Sequence, residues 1–211
     1  GTFVDTSRAI KMLKGEIRVD GRYFHLSFDD GLRNNYTNAL PILRKLKIPA
    51  IFFVSTSFVD VDYLISKNYC MKKIHLNGAV EMLNWNDLDE MISCGYEIGS
   101  HTRSHSRLSE ISQNEALLKD EIVGSKKDLE ERLGIECKYI SWPYGSSADT
   151  DMKSLGVIED AGYKACFGAF RGTVRPKKTN LFSIPRHHFE VQWPLKHILY
   201  FANGNREEDQ L

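Results

Sequence analysis

No apolar run in the 211 residues approaches the roughly 20 needed to cross a bilayer. A chain built around membrane-spanning helices is excluded. Neither sign of charge is in excess: lysine plus arginine and aspartate plus glutamate number 28 each. Composition therefore points to no nucleic-acid or anionic-membrane partner. Cysteine is scarce, and Cys70, Cys94, Cys137 and Cys166 show no CxxC spacing. They read as free thiols of a reducing compartment rather than as a disulfide framework. The opening stretch, GTFVDTSRAIKMLKGEIRVDG, lacks an apolar core of signal-peptide type. A cytoplasmic location is the expectation from these two features. Internal repeats and low-complexity linkers are also missing, and the length suits one domain over residues 1–211.

What remains is alternation. Strand-like runs at 23–28, 49–54, 96–100, 138–142, 163–167 and 181–185 are separated by stretches with helical spacing. The first such stretch, 35–47, contains Pro41, so the regular helix should begin near it with the proline in its first turn. A second helix is expected over 84–95, stopped by Gly95 as a C′ glycine. Ser112 and Glu115 have capping-box spacing, which predicts a helix from there to about 133, ended by Gly134. Further helices are expected over 152–162 and 194–204. Residues 60–84 are polar and aperiodic and read as a long insertion loop. Strand and helix in turn are the signature of a parallel α/β sheet, whose chemistry lies at the carboxyl ends of its strands.

Three polar clusters stand at such ends. HLSFDDG places Asp29 and Asp30 side by side, with Gly31 allowing a sharp turn. GSHTRSHSRL places His101 and His105 four apart. SWPYGS presents Tyr144 on a loop punctuated by Pro143 and Gly145. Two histidines and one carboxylate are a common three-ligand set for a catalytic divalent ion. One aspartate would serve as ligand and its neighbour as base on a water. A cation would also relieve the repulsion between the two carboxylates. Each motif alone has a plain reading, as a solvated turn or a surface pair of histidines. Their shared position after strands favours the metal site.

The chain resembles the polysaccharide deacetylase family of carbohydrate esterases. SFDDG is similar to that family's first motif, HTRSH and the stretch leading into it to the second, and PYG to the end of the third. DAGYKACFGAFRGTVRP and SIPR resemble the tail of a subgroup, so the likeness spans about residues 23–186. The resemblance implies a deformed, TIM-like (β/α) barrel with fewer than eight full units. It also implies metal-dependent hydrolysis of an N-acetyl group on an amino sugar, in a polysaccharide, glycolipid or sugar precursor. Carried over by position, Asp29 matches the base, and Asp30, His101 and His105 the metal ligands. The ion would be zinc, with cobalt or nickel as alternatives. Tyr144 matches the residue whose backbone amide meets the developing oxyanion, and Trp142 beside it is a candidate sugar contact.

Two departures stand out. Ser141 occupies the place of an arginine that orients the base in the family, and the late motif supplying a catalytic acid has no clear counterpart. His187 and His188 are the nearest candidates for the acid. Arg186 ends another strand-like run and is expected within hydrogen-bonding reach of Asp29, roughly 2.7–3.2 Å. The remaining histidines, His25, His75 and His197, and the tryptophans Trp85 and Trp193 read as structural or surface residues. A catalytically silent sugar-binding module and an amidase acting on a non-sugar amide are the alternatives to a sugar deacetylase.

Overall fold

The computed structural model describes residues 1–76, 80–190 and 193–203. Ser27–Phe28 (β3), Ile51–Val54 (β4), Glu97–Ser100 (β5), Tyr139–Ser141 (β6) and Ala165–Phe167 (β7) form an all-parallel sheet in that order. Two further three-residue strands at the start, Thr2–Val4 (β1) and Tyr23–His25 (β2), pair in parallel as a separate ladder. The helices between strands are Thr6–Lys14 (α1), Leu40–Leu46 (α2), Tyr63–Lys72 (α3), Trp85–Ser93 (α4), Leu108–Ile111 (α5), Glu115–Lys119 (α6), Ser125–Leu133 (α7) and Met152–Asp160 (α8), with Leu195–Ala202 (α9) last. The sheet curls into part of a barrel: the deformed TIM-like architecture with fewer than eight units. Among the described residues no helix is long and apolar enough to cross a membrane. All four cysteines are free thiols.

Strand β4 shows why the sheet curls around a core. All four of its residues are buried, as expected for a parallel strand covered on both faces. Ile51 and Phe53 face the interior of the curl, packing with Tyr139, Ala165, Phe167 and Ile184. Phe52 and Val54 face outward and join the larger core beneath the helices. The two-residue period of a strand thus feeds two cores from one stretch. Helix α1 closes the amino end of the curl. Its Ile10 packs in the interior cluster, and the Thr6 amide donates to Glu97 Oε2 at 3.0 Å.

Several expected elements differ in detail. Residues 60–84 are not a plain loop, because Asp62 caps α3 by accepting from the Ile65 amide at 3.0 Å. That helix buries Tyr69 and Cys70 while leaving Tyr63, Leu64 and Ile65 exposed, so its sequence carries no clean apolar stripe. Residues 77–79 of this stretch lie outside the described residues. The cap of the long helix is Asn114, which accepts from the Leu117 amide; Ser112 instead ends α5 and donates to the Ser109 carbonyl. A π-helical turn, Asp120–Gly124, joins α6 to α7. The stretch 181–185 makes only a single parallel bridge, Phe167 to Ile184, rather than a full strand. Helix α2 begins next to Pro41 and α4 ends before the left-handed Gly95, as their sequences require. The expected helix over 194–204 is α9, with residue 204 outside the described residues.

Candidate active site

The three polar clusters meet at the carboxyl ends of β3, β5 and β6. Asp30 Oδ1 lies 3.4 Å from His101 Nε2 and 3.2 Å from His105 Nε2. One donor atom from each of the three residues falls within 4.8 Å of the others. A divalent ion with bonds of about 2.0–2.1 Å in tetrahedral geometry needs ligand atoms roughly 3.3 Å apart. The set of two imidazole nitrogens and one carboxylate oxygen therefore fits an ion of the zinc type in both chemistry and spacing.

Two of the three residues, His101 and Asp30, are hydrogen-bonded from behind, and the buried His105 Nδ1 has no hydrogen-bond partner among the described residues. His101 Nδ1 lies 2.8 Å from the Ser141 carbonyl, which leaves Nε2 facing Asp30. His105 is enclosed by rings, with Tyr69 at 5.7 Å and Tyr144 at 4.8 Å, both edge-on. The Tyr69 hydroxyl donates to the Asp30 backbone carbonyl at 3.3 Å, and burial pushes its phenol well above the ordinary value, keeping the donor. Burial also works on the histidines. It pulls His105 down, whereas at His101 it is outweighed by the charges of Asp29 and Asp30, so His101 goes up. The same pairings overcome burial at Asp30 and hold its carboxyl far below the ordinary range.

The backbone at this mouth is unusual. Asp30, Thr102, His105 and Tyr144 all have positive φ, at 74°, 63°, 57° and 64°. A left-handed conformation costs a residue with a side chain about 1–2 kcal/mol. Such strain persists only where surrounding contacts over-determine it, and it concentrates at functional sites. Two glycines make the turns feasible. A Cβ on Gly31 would come within 3.1 Å of Val54 Cγ1, and one on Gly145 within 2.5 Å of the Ala169 amide nitrogen.

Asp29 turns away from the triad to Arg186. The guanidinium donates to both carboxylate oxygens, at 2.9 and 2.7 Å, in the expected planar fork. It also donates to Ser27 Oγ at 2.8 Å, to Ser141 Oγ at 2.6 Å and to the Gly168 carbonyl at 2.6 Å. Ser141 is thus an acceptor for an arginine that arrives from the 181–185 stretch, which runs beside β7 with a single bridge. Burial pushes the Asp29 carboxyl up, but Arg186 and His101 outweigh it and the net shift is downward. Asp29 is accordingly ionised across the neutral range.

The other predicted residues fall differently. Trp142 is only 1% exposed, its indole donating to the Ser146 carbonyl at 3.0 Å and stacked on Phe170. It is a core residue beneath the third loop and offers no open face to a sugar. Tyr144 has its ring between His105 and the Arg107 guanidinium, which sits 4.1 Å over it and pairs with the buried Asp149. His188 is exposed and bonded to Glu190 at 2.6 Å, and His187 packs against the rings of Phe189 and Phe201. His25 accompanies Thr6 at 3.0 Å and stacks on Phe167. His75 and His197 are exposed, and Trp85 packs against the core. Tyr69, Arg107 and Glu121 belong to the site's surroundings and were not singled out by sequence. Glu121 carried a signal, since it interrupts the apolar stripe of Leu118, Ile122 and Leu129.

The sequence profile of the polysaccharide deacetylase family matches residues 16–166. The chain belongs to the polysaccharide deacetylase family. A poly-β-1,6-N-acetyl-D-glucosamine N-deacetylase of Staphylococcus aureus (strain MRSA252) is 30% identical over 191 residues, which is 87% of this chain and 60% of that protein. This deacetylase-family chain therefore spans about three-fifths of the length of the curated relatives it matches. In fold it is similar to IcaB from Ammonifex degensii, with a TM-score of 0.77, 23% identity, and coverage of 95% of this chain and 80% of that one. The Streptococcus pyogenes deacetylase PplD, solved with acetate, gives a TM-score of 0.72 at 20% identity, covering 93% and 77%.

Proposed function

We propose that the chain removes the acetyl group from an N-acetylated amino sugar of a polysaccharide, using one divalent ion held by Asp30, His101 and His105. The observation that carries this reading is the pairing of Asp29 with Arg186 directly beside the ligand triad. A carboxylate fixed in plane, ionised and adjacent to a Lewis-acid site is equipped to take a proton from water. The relatives' activity on poly-β-1,6-N-acetyl-D-glucosamine suggests the substrate class.

Held by Asp30, His101 and His105, a divalent ion, zinc in the first instance, would supply Lewis acidity to a water and to the acetyl carbonyl. Asp29 takes the water's proton as its oxygen attacks the carbonyl carbon, and Arg186 holds the carboxylate in orientation. The backbone amide of Tyr144 faces the oxyanion that develops. When the C–N bond breaks, Asp29 returns the proton to the departing amine nitrogen, leaving acetate and a free amino sugar. His187 is the alternative donor for that last proton.

The test is acetate release from poly-β-1,6-N-acetyl-D-glucosamine and from N-acetylated oligosaccharides, before and after chelation and after reloading with zinc, cobalt or nickel. Acetate matched by free amine, lost on chelation and regained on reloading, is the expected result. A metal-loaded protein that binds these glycans and releases no acetate overturns the reading in favour of a silent binding module. Acetate release unaffected by His187→Ala assigns the return of the proton to Asp29.

A further inference from the structure

We infer that Glu121 is a positioning residue for the metal site, acting through the loop that carries both histidine ligands. The inference rests on the reading of Asp30, His101 and His105 as that site. His101 and His105 are the two ends of a five-residue loop that has no regular hydrogen bonding of its own. Two of its residues, Thr102 and His105, hold positive φ. Something outside the loop must impose that shape.

Glu121 supplies it. Its side chain projects from the π-helical turn between α6 and α7, and the residue is 2% exposed. Oε2 accepts from the backbone amides of Arg103 at 3.1 Å and Ser104 at 2.9 Å. Oε1 accepts from the hydroxyls of Ser104 and of Ser106, the latter at 3.2 Å. One buried carboxylate thus binds four donors, all between or next to the two histidines. Charge-assisted bonds of this kind are the strong ones. Both amides, on half-buried residues, would lose their acceptor if the carboxylate were lost. The two neighbouring acids on the same helix act differently: Asp120 and Asp128 bind the Arg103 guanidinium, not the loop backbone.

The chemistry follows from position. Ligands that are already spaced for an ion lose little freedom on binding it, and groups that orient ligands from behind typically change metal affinity 10–100-fold when removed. Glu121 touches neither ion nor substrate; its effect should appear first in the affinity for the metal. An acid that merely stabilised the helix would lower the melting temperature and leave that affinity alone.

The experiment is cobalt binding to the metal-free chain, by competition with a chelator and by the visible spectrum of the bound ion. Glu121→Leu removes every acceptor at nearly constant volume and should weaken cobalt 10–100-fold and alter the spectrum. Glu121→Gln keeps one oxygen for the two amides and should fall between Leu and wild type. Glu97→Gln is the control for stability alone, because Glu97 bonds Thr6 at the opposite end of the sheet; it should melt lower and bind cobalt as wild type does. If Glu121→Leu does not fold, Glu121→Gln and Ser106→Ala carry the test, each expected to weaken cobalt severalfold. Variants that fold, melt lower and bind cobalt with wild-type affinity and spectrum overturn the inference. Wild-type protein that binds no cobalt overturns the metal reading and this inference with it.

Discussion

Arg186 grips both carboxylate oxygens of Asp29, at 2.9 and 2.7 Å, although 157 residues separate them. Arginine's planar fork matches a carboxylate in a way that a point charge does not. Arg186→Ala should therefore reduce acetate release by about 10²-fold, the effect of misplacing a catalytic group, with little change in metal content. Arg186→Lys should recover little of it. Steady-state turnover measured beside elemental analysis checks both. Ser141→Ala removes a single acceptor from the guanidinium and should cost far less.

The two adjacent aspartates should separate cleanly. Asp29→Asn keeps the triad but cannot take a proton, so the variant should bind metal and lose nearly all turnover. Asp30→Asn replaces the triad's carboxylate with a neutral amide and should weaken metal binding. Metal titration and acetate release on both variants are the measurements. A metal-free Asp29→Asn beside a metal-loaded Asp30→Asn would reverse the roles.

Acid should weaken the fold through His25. Burial first, and the Arg186 charge second, lower its pKa from 6.5 to about 4, against a small opposing pull from Asp5. Between those values the unfolded chain binds a proton that the folded chain refuses. The contribution is complete above pH 6.5 and is lost as pH falls toward 4, at about 1.4 kcal/mol per unit at most. His25→Gln should show a shallower loss of stability over that window. Urea unfolding midpoints at pH 7 and pH 5, compared between the two proteins, measure the difference.

One stabilising change lies far from the chemistry. Lys47 ends α2 with φ of 54° and is exposed. Lys47→Gly removes the left-handed penalty and should gain about 1 kcal/mol, offset in part by glycine's greater freedom when unfolded. A rise in melting temperature of a few degrees with unchanged turnover is expected.

The legible parts of this protein were those whose cause is local. Ile51–Val54 is buried on both faces and reads as a run of apolar residues, and Pro41, Gly95 and Gly134 punctuate helices where their backbones require. Asp29, Asp30, His101 and His105 were found because each follows a strand, and strand ends in a parallel sheet converge. Arg186 was expected by the same rule and does reach Asp29, although 181–185 makes a single bridge rather than a strand. Helix α3 was not legible, since its buried Tyr69 and Cys70 serve a small side cluster while Leu64 faces solvent. The cap at Asn114 was masked by the equally good spacing of Ser112 and Glu115. Trp142 was misread because adjacency to a motif does not reveal which way a side chain points. Glu121 showed in the sequence only as a glutamate breaking the apolar stripe of its helix; its four donors, all from residues 103–106, come together only in the fold.

The guanidinium of Arg186 touches Ser27 in the first strand of the sheet and Gly168 just past the last. A full eight-stranded barrel closes that seam with backbone ladders; here a side chain spans it, and the same side chain holds the Asp29 carboxylate proposed as the base. Opening of the seam and disarming of the catalyst are then one event. Thermal inactivation of this protein should coincide with the separation of its sheet edges, and a molecule that has lost its closure should have no residual turnover to report.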